Sequence, residues 1–386
     1  MNVLVTGAGK HTLAIVRSLG KLDMEIGVIS SSSELSFYSK YCKNRFKCSS
    51  LDDEDEYISF LEAVLKKYNY DILIPVGYRA TQIISKNKEK LSQWVKTEVA
   101  DNEKIEIALN KKRTYELANN IGIPCPETIY PKSFEDVEGF SNKIKYPVVI
   151  KGIQEAGNNI VDYAYNSNEL IKNYSRLCNI HSFTAENLPM IQEYINGNGY
   201  GFFALYQHGL CKRIFMHKRI REFPVTGGAS VCAQSFYDSC LKDYGLKLLD
   251  NLGWHGVVMV EFKGNEKNHD YKLMEINPKF WGSLDLAIAA GVNFPYYLVQ
   301  MAMGEDLSYS EEYSRNLRYH WTLSGDIQHI LKKPSSSFNF LCDVMNAKVK
   351  SNLDIKDPKP NMIELVSLCA CLMPKSIKRQ LKRFLR

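Results

Sequence analysis

The chain has 386 residues, 45% hydrophobic and 24% charged, which is the composition of a soluble globular protein with room for two or three domains. Its net charge of +6 comes from Lys375–Arg386, which hold six basic residues and no acid, so the neutral remainder does not predict nucleic-acid binding. No apolar run approaches the roughly 18 residues of a membrane-spanning helix.

Two further features of the composition concern the compartment. The first residues, Met1–Gly7, predict a strand and lack a charged leader with a cleavage site. The ten cysteines are scattered and form no C-x-x-C pair, which predicts reduced thiols and no structural zinc. We therefore expect a cytoplasmic protein.

The first hundred residues alternate strand and helix patterns. Short apolar strands are predicted at Val3–Thr6, Glu25–Ser30 and Asp71–Val76, and helices at Leu13–Leu19 and Tyr57–Tyr68. This order is that of a βαβ series, so it predicts an α/β domain with a parallel sheet.

From about residue 104 the pattern becomes a mixture of helices and antiparallel strands. Helices are predicted at Lys111–Asn120, Asn168–Leu177 and Cys240–Leu252. Strands are predicted at Tyr146–Lys151, Met190–Ile195, Gly201–Gln207, Leu210–His217, Gly256–Lys263 and Tyr271–Asn277. The order predicts an α+β domain, and breaks at Pro334–Ser337 and Asp357–Pro360 indicate connectors in the remaining residues.

The last two predicted strands form an acidic hairpin. Alternation places Glu275 and Asn277 on one face of the strand, and Met274 and Ile276 on the other. Folding about the polar turn sets Glu261 opposite Glu275, to within one residue of register. Two facing carboxylates destabilise a sheet, and a cation between them removes that cost. Oxygen ligands from glutamate and asparagine suit Mg²⁺ shared with phosphates.

A second explanation of the hairpin is that one glutamate is solvated and the other pairs with Lys263 or Lys279. The residues after the hairpin favour the metal. Glu275–Ser283, EINPKFWGS, resembles the E-x-N-P-R-F-W-G-S segment of ATP-grasp carboxylate–amine ligases. The resemblance covers about residues 1–330, and it is to the branch loosely labelled carbamoyl-phosphate-synthase-like, found in peptide and cell-surface polysaccharide pathways.

The resemblance implies a domain organisation. Residues 1–104 would form a Rossmann-like pre-ATP-grasp domain of the α/β class. Residues 105–305 would form an α+β ATP-grasp fold of two subdomains, with 105–188 as the small lobe and 189–305 as the nucleotide and metal lobe. Residues 306–386 would form a small helical extension that ends in a basic amphipathic tail.

The resemblance also implies an ATP site. Lys111, which precedes the T-Y-E-L-A segment, would contact phosphates, with the adjacent Lys112 as an alternative. Lys151, which ends an apolar strand, would reach the α- and β-phosphates. In the predicted hinge strand, Glu193 would accept from the adenine amino group, and the backbone of Tyr194 and Ile195 would contact the base. Tyr200 stands where many relatives have a ribose-binding glutamate, and we include it in the site.

The implied metal and catalytic groups lie further along the chain. Mg²⁺ is expected, as two ions that Mn²⁺ can replace, on three ligands: Glu261, Glu275 and Asn277. Arg219 and Arg221 belong to a segment that resembles H-x-R-x-R-E-x-P-x-x-G-G, and alternation puts both on one strand face. We assign them to binding the triphosphate or the acyl phosphate, the alternative being a pair of exposed arginines. Lys279 replaces an arginine of the family and cannot make its bidentate fork.

Three segments depart from the family or compete with it. The loop 152–159 is poorer in glycine and serine than the usual phosphate-covering loop, and Met259 replaces an arginine of D-alanine-type ligases. The G-A-G-K-H-T segment at 7–12 lacks the third glycine of a dinucleotide site, which disfavours NAD. The tail places Ile377, Leu381, Phe384 and Leu385 on one helical stripe. This stripe predicts either binding to an anionic bilayer or an ordinary packed terminal helix.

The predicted function is therefore an ATP-dependent, ADP-forming carboxylate–amine ligase that makes an amide through an acyl phosphate. Its partners would be a small-molecule or sugar-linked carboxylate and an amine, with a homodimer and peripheral membrane contact as further expectations. Two alternatives remain: an enzyme that phosphorylates bicarbonate or carbamate, and a nucleotide-binding protein without turnover.

Overall fold

The computed structural model describes residues 1–7, 9–154, 160–181, 183 and 187–372, with the side chains of the last two residues left out. The predicted amphipathic tail and residues 155–159 of the predicted phosphate-covering loop lie outside these ranges. No helix in the part of the chain that is described has the length and apolar character needed to cross a membrane.

The described residues form three sheets with helices packed around them. The strands are β1 (Asn2–Thr6), β2 (Glu25–Ser30), β3 (Cys42–Lys47), β4 (Ile72–Ile74), β5 (Thr128–Ile129), β6 (Val148–Lys151), β7 (Val161–Ala164), β8 (Met190–Glu193), β9 (Asn198–Gln207), β10 (Leu210–Phe223), β11 (Ala229–Ser235), β12 (Gly256–Asn265), β13 (Asp270–Asn277), β14 (Arg318–His320) and β15 (Lys350–Ser351).

The helices follow the same chain order. They are α1 (Lys10–Gly20), α2 (Glu54–Lys67), α3 (Tyr78–Lys86), α4 (Lys88–Leu91), α5 (Asn102–Leu109), α6 (Lys111–Asn120), α7 (Phe134–Ser141), α8 (Ser167–His181), α9 (Ser239–Asn251), α10 (Leu284–Ala289), α11 (Phe294–Ala302), α12 (Ile327–Lys332), α13 (Ser337–Met345) and α14 (Pro358–Leu372).

The N-terminal sheet has the order β3-β2-β1-β4, and all its pairs are parallel, as predicted. Its two faces belong to different hydrophobic clusters. Leu4 and Leu73 point to a cluster with α2 and α3, whereas Val3 and Val5 point to a cluster shared with α1 and the large sheet. Strand β3 was not predicted, because its sequence CKNRFK is polar and half of it faces solvent.

The large sheet has the order β13-β12-β9-β10-β11-β14-β15, and both predicted hairpins are present in it. Strands β9 and β10 turn at His208 and Gly209, whose φ angles of 50° and 82° are those of a tight hairpin turn. Central strand β9 is covered on both sides. Tyr200 and Phe202 face the cluster that includes α9, and Phe203 faces the opposite cluster.

The third sheet is small and has the order β5-β8-β6-β7. Helices α7 and α8 cover one face, where Val148 and Ile150 join Leu170 and Tyr174 in a buried cluster. The other face carries Lys151 and Gln192 toward the large sheet. The two sheets therefore enclose a cleft.

Two β-bulges interrupt the large sheet next to this cleft. In β10, Arg219 pairs with Ala233 and Arg221 with Cys232, so Ile220 is an extra residue. In β13, Glu275 pairs with Glu261 while Leu273 pairs with Phe262, so Met274 is extra. A bulge reverses the alternation of side chains beyond it. Sequence alternation therefore predicts the wrong face for residues on one side of each bulge.

Candidate active site

The cleft has a volume of about 370 Å³ and is lined by the large sheet, by the small third sheet and by residues of other elements, among them Tyr78 at the start of α3. Its floor is formed by Glu261 of β12 and Glu275 of β13, and Arg219 of β10 lies beside them. Lys111 from the start of α6 and Lys151 from the end of β6 reach in from the small lobe.

The two glutamates lie directly opposite each other across the β12–β13 ladder, as the sequence predicts. Each has a cationic partner from another element. The Arg219 guanidinium donates to Glu261, and Lys111 Nζ lies 3.4 Å from Glu275 Oε2. Asn277 Nδ2 donates to Glu275 Oε1 at 2.9 Å. The chain itself thus supplies two positive charges to a pair of partly buried carboxylates that repel each other.

The ionisation of the two carboxylates differs. Burial raises the pKa of Glu261, and the neighbouring Glu275 and Glu222 add to that rise. Burial also opposes ionisation of Glu275, but Lys111, Lys151 and the Asn277 hydrogen bond outweigh it and lower its pKa to about 2. Glu275 therefore stays ionised to a lower pH than Glu261. A cation bound between the two carboxylates would favour the ionised form of both.

The donor set fits magnesium in chemistry. Glu261 and Glu275 offer carboxylate oxygens on one side of the cleft, and Mg²⁺ prefers oxygen ligands from one or two carboxylates together with phosphates. Asn277 Oδ1 accepts a hydrogen bond from the Tyr78 hydroxyl, so an ion at that oxygen would displace Tyr78. Among the described residues, no group of three or more His, Cys, Asp or Glu side chains is arranged to hold a metal ion.

The lysine at the end of β6 is held in place by a hydrogen bond and has a lowered pKa. Lys151 Nζ donates to Gln192 Oε1 at 2.9 Å. Burial first, and the nearby Lys111 second, lower the pKa of Lys151 to about 8. Lys112, the alternative to Lys111, lies over the Tyr130 ring, 5.4 Å from its centroid, and does not line the cleft. Lys111 is therefore the cleft lysine of the pair.

The two predicted arginines are separated by the bulge at Ile220. Arg219 lines the cleft and also lies 3.5 Å from Glu222. Gly199 leaves room for it, since a Cβ there would lie 2.7 Å from Arg219 Cδ. Arg221 points the other way and does not line the cleft.

Arg221 is fully engaged inside the protein. Its Nε and Nη2 donate to the two oxygens of Asp326 at 2.7 and 2.8 Å, and Nη1 donates to Asp343 at 2.6 Å. All three side chains are buried. The prediction that Arg221 binds a substrate anion is therefore not supported by this geometry, because the bulge turned its side chain to the opposite face.

Comparison with known proteins agrees with this architecture. Residues 189–324 match the family model described as "ATP-grasp in the biosynthetic pathway with Ter operon". These residues contain the acidic hairpin, Arg219 and Lys279. This segment resembles an ATP-grasp domain. The superfamily predicted from the E-x-N-P segment is thereby confirmed.

Two curated proteins are similar to this chain in sequence. D-alanine–D-alanine ligase of Wolbachia pipientis wMel is 28% identical over 244 residues, which cover 54% of this chain and 70% of that protein. The 2-oxoglutarate carboxylase small subunit of Hydrogenobacter thermophilus is 23% identical over 224 residues, covering 54% of this chain and 46% of that protein. The chain thus spans less than half the length of the carboxylase subunit.

Solved structures share the fold at low identity. Biotin carboxylase of Campylobacter jejuni has a TM-score of 0.67 at 15% identity, covering 82% of this chain and 74% of that one. L-amino acid ligase of Bacillus licheniformis has a TM-score of 0.64 at 14% identity, covering 79% and 75%. These structures show that the ATP-grasp fold extends through most of the chain.

The predicted hinge residues do not line the cleft. Glu193 accepts from Lys272 Nζ at 2.8 Å and from the Glu127 amide at 3.1 Å. Tyr194 is 37% exposed beneath Lys263 Nζ, and Ile195 is buried. Both of these contacts use Oε2 of Glu193. Recognition of adenine by Glu193, Tyr194 and Ile195 stays a prediction.

Tyr200 lies in the core rather than in the nucleotide site. It is fully buried, packs edge-on against Tyr271 with ring centroids 5.0 Å apart, and accepts a hydrogen bond from the Glu266 amide. Its neighbours Gly199 and Gly201 occupy the alternate positions of β9. A role for Tyr200 in ATP binding is therefore not supported, because strand alternation turns its side chain away from the cleft.

Lys279 takes part in the site through the N-terminal domain. Its Nζ lies over the Tyr78 ring at 4.1 Å from the centroid, and both residues line the cleft. Tyr78 also donates to Asn277. The sequence did not point to Tyr78, because the Gly-Tyr dipeptide after β4 belongs to no recognised motif.

A histidine–serine pair in the cleft wall was also missed. His217 Nε2 lies 2.7 Å from Ser283 Oγ, and both residues line the cleft. Burial first, and then Arg219, lower the pKa of His217 to about 3, so the imidazole is neutral. Both residues lie within the two motif segments. Their position in the motifs is the signal that the sequence offers for them.

Proposed function

We propose that this chain is an ATP-dependent, ADP-forming carboxylate–amine ligase that makes an amide bond through an acyl phosphate. The observation that carries the proposal is the pair Glu261 and Glu275, which face each other in the cleft below Lys111, Lys151 and Arg219. Two acids and three cations around one cavity can neutralise both a triphosphate and a divalent ion.

Each residue has a part in the proposed reaction. Glu261 and Glu275, with Asn277, would hold Mg²⁺, which supplies charge neutralisation on the phosphates when bound. Lys111 and Lys151 would orient the triphosphate by direct hydrogen bonds. Positioning and charge stabilisation then provide the catalysis, because the substrate carboxylate is itself the nucleophile.

Three further residues of the cleft would act once the acyl phosphate forms. Arg219 stands beside Glu261 and would stabilise charge on the transferred phosphoryl group, which the incoming amine finally displaces as phosphate. Lys279, held over Tyr78, is placed to bind a substrate oxygen as a point charge. Ser283, fixed by neutral His217, adds a hydroxyl donor to the same wall.

The finer features predicted from the resemblance belong to the same proposal. Residues 1–104 would act as the Rossmann-like pre-ATP-grasp domain, 105–188 and 189–305 as the two ATP-grasp lobes, and 306–386 as the C-terminal extension. Two magnesium ions, replaceable by Mn²⁺, and a cytoplasmic location are further parts of it. A role in cell-surface polysaccharide or small-peptide synthesis would make one substrate a sugar-linked acid or an amino acid.

Assembly and membrane contact are separate expectations. A solved 2-oxoglutarate carboxylase domain is described as a biotin carboxylase domain dimer, and a homodimer is proposed here on that similarity. Contact of the basic tail with a membrane is proposed from its sequence.

A screen of ADP release tests the proposed reaction. Carboxylic acids are crossed with amines in the presence of MgATP, and products of active pairs are identified by mass. We expect ADP only when an acid is present, an amide product when an amine is added, and no ADP from Glu275→Gln. ATP binding without ADP release across the whole panel would instead favour a nucleotide-binding protein without turnover.

Bicarbonate is the second candidate for the acid. The observation in its favour is that a similar solved structure, from Hydrogenobacter thermophilus, was determined with MgADP and bicarbonate. ADP release in degassed buffer separates the two. A ligase acting on an organic acid keeps its rate without bicarbonate, whereas a bicarbonate-phosphorylating enzyme releases ADP only after bicarbonate is restored.

A further inference from the structure

Helix α13 buries an acid where a surface helix usually buries an apolar residue. Asp343 is 3% exposed, and its oxygens accept from Arg221 at 2.6 Å and from Arg318 at 2.8 Å. Phe340, on the same side, packs against the His320 ring at 6.1 Å between centroids. The helix is thus fastened to the large sheet mainly by charge.

The outer side of α13 is apolar. Phe338, Leu341 and Met345 are 76%, 55% and 85% exposed. Their spacing of three and four residues places them on one stripe of the helix. In an ordinary surface helix this stripe faces the core, so its exposure indicates a contact made with something else.

Helix α14 repeats the arrangement. Its buried side includes Asn361 and Glu364, which hydrogen-bond to each other at 2.9 Å. Met362 and Leu365 are 61% and 49% exposed. Two successive helices of the C-terminal region therefore expose apolar side chains and bury polar ones, although α14 also buries Leu368.

The chain on either side of α13 carries positive charge. Residues 327–353 contain one acid, Asp343, and it is neutralised inside the protein. Four exposed lysines lie before and after the helix: Lys332, Lys333, Lys348 and Lys350. A second copy of the chain would bring the same lysines against each other, because a twofold interface joins identical patches. An anionic surface matches the patch instead.

We propose that the α13 stripe, Phe338, Leu341 and Met345, docks on an anionic lipid bilayer. The apolar side chains enter the boundary between headgroups and acyl chains, and the four lysines pair with lipid phosphates and carboxylates. The docking surface does not depend on the proposed ligase chemistry or on membrane contact by the predicted tail. If either of those predictions is wrong, the proposal for α13 still stands.

Vesicle flotation of the full chain tests this surface. Vesicles of phosphatidylcholine alone are compared with vesicles that also contain phosphatidylserine. The apolar variant is Phe338→Ser/Leu341→Ser/Met345→Ser, and the charge variant replaces the four lysines with glutamine. A matched control replaces three exposed apolar residues elsewhere, Leu22, Leu210 and Met303, with serine. In a further variant the tail's six basic residues become glutamine.

We expect binding to the anionic vesicles only. The apolar variant should lose partitioning by on the order of a hundredfold, and the charge variant should lose the preference for phosphatidylserine. The control should bind as the wild type does. Thermal unfolding should be unchanged in the apolar variant, since the three side chains are already exposed.

Four outcomes overturn the proposal. The first is that the wild type binds neither kind of vesicle, and the second is that the apolar variant binds as strongly as the wild type. The third is that the tail variant loses binding completely, which would assign the contact to the tail. The fourth is a change of sedimentation mass in the apolar variant with vesicle binding intact, which would make the stripe an interface between two copies.

Discussion

Arg221 is predicted to be a structural anchor, and Arg221→Met tests that prediction. The substitution removes three hydrogen bonds to two buried carboxylates, Asp326 and Asp343. Asp326 would keep the contact with His320 Nδ1 at 3.1 Å, and Asp343 would keep Arg318 and the weak Cys232 thiol donor. Removing one partner of a buried ion pair costs about 3–5 kcal/mol, because the other charge is left buried.

The assay combines urea unfolding with limited proteolysis. Because Asp343 holds α13 against the sheet, we expect the 337–345 segment to be cleaved first in Arg221→Met. MgATP affinity should remain within about twofold of the wild type under native conditions, since Arg221 does not line the cleft. Replacing Asp326 and Asp343 with asparagine in the same chain should recover part of the stability.

Arg219→Met is the matched comparison two residues away. It should reduce ADP release by about a hundredfold or more, since Arg219 lines the cleft. It should cost less stability than Arg221→Met, because its partners Glu261 and Glu222 are 19% and 25% exposed. The reasoning is refuted if Arg221→Met unfolds like the wild type but fails to bind MgATP. That result would indicate that Arg221 binds the phosphates, as the sequence predicts.

Two further predictions concern the nucleotide. Lys151 has a pKa of about 8 in the free protein, so it is protonated below that pH and must take up a proton to bind phosphates above it. The dissociation constant for MgATP should therefore rise by about tenfold per pH unit above pH 8, and Lys151→Arg should flatten that slope in a calorimetric titration; an unchanged slope would exclude Lys151. Tyr200→Phe should cost about 1 kcal/mol of unfolding free energy through the lost Glu266 hydrogen bond and leave the MgATP dissociation constant unchanged, whereas a tenfold weaker affinity would restore Tyr200 to the site.

Much of the fold follows from periodicity. The parallel order of β1, β2 and β4, and the pairing of Glu261 with Glu275, needed only the spacing of apolar residues and one turn. Strand β3 was not predicted because its sequence is polar and has no apolar alternation. Its pairing with a neighbouring strand stabilises it instead.

The errors in the site come from two physical causes. Alternation assumes an unbroken ladder, and the extra residues Ile220 and Met274 reverse it, which sends Arg221 inward and brings Met274 to the cleft beside Glu275. Tyr200 was placed by position in a motif, whereas burial on both faces of β9 decides where its side chain goes.

The residues that were missed share a different origin. Tyr78 reaches Asn277 across 199 positions of sequence, and this contact exists only because the N-terminal domain packs on the hairpin. The His217–Ser283 pair joins two motif segments that are 66 residues apart. Local patterns place residues on elements, but such contacts depend on how the elements pack.

The most direct test of the central claim is a calorimetric titration with ATP, with and without Mg²⁺, on the wild type and Glu275→Gln. Glu266→Gln is the matched control, since Glu266 pairs with Lys218 and does not line the cleft. We predict that Mg²⁺ tightens ATP binding to the wild type and to the control but not to Glu275→Gln. An equal gain from Mg²⁺ in Glu275→Gln would contradict the assignment of Glu261 and Glu275 as the metal-binding pair.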